Sequence, residues 1–146
     1  MKKYSSFFLA IVLFIGLLSF TIMSIGDDVL EYTNAFRKEN GLAQLQSNEV
    51  LNKIAQQHSR NMASGKVKFG HAGFNARNAS AAKQIAGLRY FAENVAYGPV
   101  SGEEVVNLWK NSQGHRKNML GNFSMIGIGV ARSKDGTYYY TQVFGN

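Results

Sequence analysis

The sequence contains no cysteine. That excludes a disulfide framework, a cysteine-ligated zinc or iron–sulfur site, a thiol nucleophile and a cysteine-linked lipid anchor. Proline occurs once, and acids are scarce, nine against sixteen lysines and arginines. From Val50 to Ala92 there is no acid, while seven basic residues fall there: Lys53, Arg60, Lys66, Lys68, Arg77, Lys83 and Arg89. There is no internal repeat, low-complexity tract, phosphate-cradling glycine loop, HExxH pair or Gly-x-Ser-x-Gly elbow. What the 146 residues do contain is 45% apolar and 12% aromatic content, enough for the single core of one domain.

Lys2 and Lys3 precede a twelve-residue apolar block, Phe7 to Leu18, and Ser24-Ile25-Gly26 offers small residues at the −3 and −1 positions of a cleavage site. This layout predicts a signal peptide over residues 1–26 and a folded domain over 27–146. An uncleaved anchor is the alternative, because no charge occurs from Tyr4 to Ile25. Either way the lysine pair stays inside and the domain is secreted or envelope-associated. Export sets nucleic acid aside as a partner. The basic stretch then reads as a face for anionic envelope polymer or lipid head groups, or as a solvated face that keeps the protein soluble.

Along the domain, Asp27-Asp28 predicts the cap of a first helix that stops at Asn40-Gly41. Ser47 or Asn48 opens a second, whose stripe of Leu51, Ile54, Ala55, His58 and Met62 keeps helical spacing up to Gly65. Lys66 to Phe69 reads as a short extended piece. Residues 75–87 read as a weaker, alanine-rich helix closed by Gly87, and Glu93 to Tyr97 as strand or loop. Ser101 and Glu104 suggest a capping box ahead of Val105, Leu108, Trp109 and Ser112, with Gln113-Gly114 as the break. The period then changes. Ile126, Ile128 and Val130 alternate with small residues, Asp135-Gly136 supplies a turn, and Thr137 to Phe144 is β-branched and aromatic. Helices followed by a β-hairpin predict an α+β fold, with helices packed on an antiparallel sheet.

His58 lies on an apolar stripe and reads as a core residue. His71 and His115 each adjoin a glycine where regular structure breaks, so they can converge on a cleft. Glu93 is the only acid between Val50 and Gly102. It is either a buried partner for a cation or a site residue. Two imidazoles and one carboxylate suit a divalent metal or general acid–base work. Ser112 lies three residues before His115, and a hydroxyl nucleophile is the weaker alternative.

Ala92-Glu93-Asn94-Val95-Ala96-Tyr97-Gly98 resembles the GEN-x-A element of the CAP superfamily, which comprises cysteine-rich secretory proteins, antigen 5 and pathogenesis-related class 1 proteins. The run from Trp109 through Ser112, Gly114-His115-Arg116 and Asn118 to Leu120 is similar to the W-x-x-S-x-G-H-R-x-N-[IM]-L block of its bacterial SCP-like branch. Gly70-His71, Ile126 to Val130 and Tyr140 to Phe144 fall in the family's order, and the resemblance covers Asp28 to Phe144. It implies an α–β–α sandwich with a central antiparallel sheet and a large cleft. It also implies a His–Glu–Glu–His tetrad, here reduced to His71, Glu93 and His115 because Ser112 holds the place of the second Glu. Asn94, Trp109, Ser112 and Asn118 would support that cleft, and any zinc there would be weakly held.

The expectation is therefore a ligand-binding module for an anionic envelope polymer, lipid or glycan. The alternative is a metal-assisted hydrolase acting on peptide or peptidoglycan. A third reading makes the three residues a purely structural network.

Overall fold

The computed structural model describes residues 24–146. The expected signal peptide lies almost wholly outside the described residues, and its expected junction at Asp27 falls in the first turn of a helix. That helix, α1 (Ile25–Glu39), starts one turn earlier than the acidic pair suggests. Ser24 is its cap: the Ser24 hydroxyl accepts from the Asp27 amide and the Asp27 carboxylate accepts from the Ser24 amide. Asp27 completes a reciprocal box and does not open the helix itself.

A two-residue strand β1 (Gln46–Ser47) leads into α2 (Glu49–Ala63), which Asn48 caps through its side chain. The predicted extended piece after α2 is not a strand. The Val67 amide bonds back to the Asn61 carbonyl, which folds residues 66–70 onto the helix end and away from any sheet partner. Next come α3 (Phe74–Gln84), ending before Gly87, and β2 (Phe91–Tyr97). The helix α4 (Gly102–Lys110) stops short of Ser112. Gln113 and Gly114 do not merely break it; they form the first turn of a further helix, α5 (Gln113–Met119), with Ser112 at its cap position. A buried Met119 anchors the far end of α5 in the core, which offsets the cost of a glycine in its first turn. The hairpin of β3 (Met125–Arg132) and β4 (Tyr138–Gly145) closes the chain.

The sheet runs β1-β3-β4-β2, antiparallel except for the short parallel pairing of β1 with β3. Alternation along the strands gives each face its own core. On one face Ile126, Tyr140, Phe144 and Ala96 pack with Val29 and Phe36 of α1, Val105, Val106 and Trp109 of α4, and Met119 of α5. On the other, Val143 meets Leu51 and Ala55 of α2 and Ala81 of α3. Helices cover both sheet faces, so the chain is an α–β–α sandwich.

The glycines of the Ile-Gly-Ile-Gly-Val run have a steric cause. A Cβ on Gly127 or Gly129 would collide with the backbone of Leu51 or Ala55, so α2 lies flush against β3. The open flank of β3 beyond β1 is met by α2 side chains. Gln56 donates to the Val130 carbonyl at 2.8 Å and accepts from the Val130 amide at 3.1 Å, while Asn52 accepts from the Ile128 amide at 2.9 Å. The outer flank of β2 is treated likewise. Trp109 Nε1 donates to the Val95 carbonyl and Asn118 Nδ2 to the Glu93 carbonyl.

Candidate functional site

Glu93, Val95 and Tyr97 point to the α2–α3 side of β2, and Asn94 points to the α5 side. Because β2 is an edge strand, groups from both layers can meet around its rim. The Glu93 side chain is wholly buried. A buried carboxylate needs partners to remain charged, and this one has three donated bonds. Arg77 Nε donates to Oε2 at 2.6 Å, Arg77 Nη2 to Oε1 at 2.8 Å, and His71 Nδ1 to Oε1 at 2.9 Å. The fork-on-carboxylate geometry of Arg77 is the strong form of such a pair. Arg77 also donates to the Ala72 carbonyl at 2.8 Å, tying the first turn of α3 to the loop that carries His71.

His71 therefore donates through Nδ1, the tautomer that leaves Nε2 as an acceptor with no hydrogen-bond partner among the described residues, on a side chain that is 50% exposed. His58 is buried, as its place on the apolar stripe predicts. Its Nε2 donates to the Gly70 carbonyl at 2.9 Å, fixing the residue before His71, and lies 4.0 Å from Glu93. Burial pushes the His58 pKa below the ordinary imidazole value.

His115 reaches the same neighbourhood from α5. Burial, then the nearby His71, lowers its pKa, and its Nδ1 is buried with no hydrogen-bond partner among the described residues. A polar relay positions α5 against the sheet. Asn118 donates to Asn94 Oδ1 at 2.9 Å, Asn94 to the His115 carbonyl at 3.1 Å and to Gln142 at 3.1 Å, and Gln142 to Thr33 of α1 at 2.8 Å. Asn94, Trp109 and Asn118 thus tie β2 to α4 and α5 through hydrogen bonds to the Glu93, Val95 and His115 carbonyls. The Ser112 hydroxyl makes no hydrogen bond to His115 among the described residues; its backbone carbonyl accepts from Arg116 at the start of α5.

The structure thus brings His71, Glu93 and His115 to one rim, together with Arg77 and His58. Sequence reasoning does not assign Arg77 to Glu93. The only available signal is that a lone acid in a cationic stretch needs a cation, which leaves seven candidates. Among the described residues no group of three or more His, Asp or Glu side chains is arranged to hold a metal ion. Both Glu93 oxygens are engaged by Arg77 and His71, so two imidazoles are the donors left. That falls short of the three protein ligands a catalytic zinc takes.

A family model described as the Cysteine-rich secretory protein family (CAP) matches residues 30–144. The uncharacterized protein YkwD of Bacillus subtilis is 39% identical over 120 residues, covering 80% of this chain and 46% of the relative. The chain spans less than half the length of the curated relatives it matches. An extracellular SCP-domain protein from Bacillus anthracis superposes with a TM-score of 0.70 at 26% identity, over 84% of this chain and 40% of that one. An outer surface protein of Borrelia burgdorferi reaches 0.72 at 20% identity over 85% and 96%, a likeness of fold. Matched over most of its length and sharing the sandwich, the chain belongs to the CAP family.

Proposed function

We propose that this CAP domain is a ligand-binding module acting outside the cytoplasmic membrane, with the rim of β2 as its recognition site. One observation carries the reading: Glu93 is committed on both oxygens. It neither reaches solvent nor offers a free carboxylate for proton transfer to a substrate. What faces outward is His71 Nε2, a hydrogen-bond acceptor fixed in one tautomer by Glu93, beside the partly buried His115. Fixed acceptors and donors on a rigid strand edge suit recognition of hydroxyl and amide groups in envelope glycans or peptides. The external setting is supported by the Bacillus anthracis protein, which is described as extracellular. No helix among the described residues is long and apolar enough to cross a membrane.

The second reading, a hydrolase, is favoured by the same Glu93–His71 pair, since a carboxylate-oriented imidazole is the form a general base takes. Incubation of the domain with purified peptidoglycan separates the two. Sedimentation with the polymer, reduced in His71→Ala and without release of soluble fragments, is the expected result. Release of fragments that stops in His71→Ala establishes the hydrolase instead. Zinc is expected to bind weakly through the two imidazoles alone, with calorimetric heat lost in His71→Ala and in His115→Ala. Equal zinc binding by both variants and the wild type removes metal from this site.

A further inference from the structure

Beyond the rim, Tyr97 and Phe69 are 55% and 46% exposed and meet edge to face, ring centroids 4.8 Å apart. Tyr97 in turn stacks on Tyr139 of β4 at 5.8 Å and 22°. Three aromatic rings therefore form a continuous strip. It begins at Phe69, two residues before His71, and runs through Tyr97, which follows Glu93 on the same face of β2 roughly 13 Å along the strand, to Tyr139. Tyr139 also lines a groove of about 790 Å³ between the end of α2 and the β3–β4 turn. Its charged lining is Arg60, Arg132 and Lys134 against Asp135. Asp135 is turned into its own loop, accepting from the Ser133 hydroxyl and the Thr137 amide. None of the three cations forms an ion pair among the described residues, and Lys66 and Lys68 are exposed in the loop that carries Phe69.

We infer that the aromatic strip and the cationic groove form one extended track for an acidic polysaccharide, leading toward His71. The proposal rests on the binding-module reading and adds the ligand class and its path. The two chemistries are complementary. Sugar rings present weakly positive C–H faces that lie on the negative face of an aromatic ring, and their carboxylates meet cations that form no ion pair among the described residues. Two of the three rings carry hydroxyls, which suits a ligand that stays hydrated. The large aliphatic side chains that are exposed, Val100 and Leu108, are not part of the strip, so the track lacks the aliphatic wedge that insertion into a lipid layer uses.

Calorimetric titration of the domain with a galacturonate hexamer tests this, with maltohexaose as neutral control and phosphatidylglycerol vesicles as the lipid arm. The hexamer is expected to bind, more weakly as salt rises, and the neutral sugar to bind far less. Tyr97→Ala should weaken binding about tenfold and Tyr97→Phe less than about twofold, since the ring and not the hydroxyl is the platform. Lys134→Glu should weaken it about fivefold at low salt, and Lys38→Glu in the opposite helical layer should leave it unchanged. Binding that survives both Tyr97→Ala and Lys134→Glu but falls in His71→Ala overturns the track and leaves the rim reading intact. Binding to vesicles and not to the hexamer replaces glycan by lipid. A wild-type domain that binds neither these probes nor peptidoglycan ends both proposals.

Discussion

Replacing Arg77 by Met removes every guanidinium bond to Glu93 while keeping most of the side-chain stem. The Glu93 carboxylate then drops from three donated hydrogen bonds to one, from His71, with no solvent exposure of its own. Deleting one partner of a buried ion pair costs about 3–5 kcal/mol, because a desolvated charge is left behind. Arg77 is 14% exposed, so water can enter the vacated space, and His71 still donates. The expected loss is about 2–4 kcal/mol, on the order of 10 °C in melting temperature for a domain of this size. Arg77→Met paired with Glu93→Leu should cost far less than the two single changes added together, since replacing both members of a buried pair by apolar groups is close to neutral. Urea unfolding at constant m-value measures all three variants. Strict additivity of the two single changes would refute the account, because it would mean that Glu93 does not depend on Arg77.

His58 and His115 both sit below the ordinary imidazole pKa of 6.5 in the folded protein, so above that pH neither state takes up a proton and the two groups contribute no slope. As pH falls through about 6.5 the unfolded chain binds protons first, and stability drops by at most about 1.4 kcal/mol per pH unit for each histidine. His58→Gln, which retains a donor for the Gly70 carbonyl, should flatten the fall in urea midpoint between pH 7.5 and pH 5; an unchanged slope assigns the effect elsewhere. Gly129→Ala should destabilise by about 3 kcal/mol, because its Cβ meets the Ala55 backbone and nothing flexible can yield. Gly114→Ala meets nothing within 4 Å on a helix and should stabilise by about 0.5–1 kcal/mol. Equal effects of these two alanines in urea titration would remove the close-contact account of α2 on β3.

Periodicity and turn chemistry make α2 and the β3–β4 hairpin legible, since each buries a regular stripe. The order of motifs places His71, Glu93 and His115 on separate segments of a known sandwich, and the structure gathers them at the β2 rim. The identity of the cation on Glu93 is not legible. Arg77 is one of seven similar residues, and only the docking of α3 selects it. Arg37 is hidden for the same reason: it reads as a basic residue in the last turn of α1, yet it is buried. It donates to the carbonyls of Ala43, Met119, Gly121 and Phe123, which stitches α1 to the loop before β3. The strand β1 has two residues and no local pattern, being defined by its neighbour β3. The start of α5 is illegible because Gly114 reads locally as punctuation, and there tertiary packing overrides propensity.

Asn52 and Gln56 on one flank of the sheet, and Trp109 and Asn118 on the other, fill backbone positions that a further strand would need. Such flanks are where folded domains polymerise, and the usual guard against it is a lysine, whose repulsion fades with salt. These guards are uncharged. Their hold on the strand is unaffected by acid or brine, and a foreign strand must first displace hydrogen bonds that are already made. Where media change and no disulfide can pin the chain, resistance to fibre growth is thereby built from groups that do not titrate. By the same logic, losing an amide at position 52, 56 or 118 opens a template for fibre growth on a surface far larger than the side chain removed.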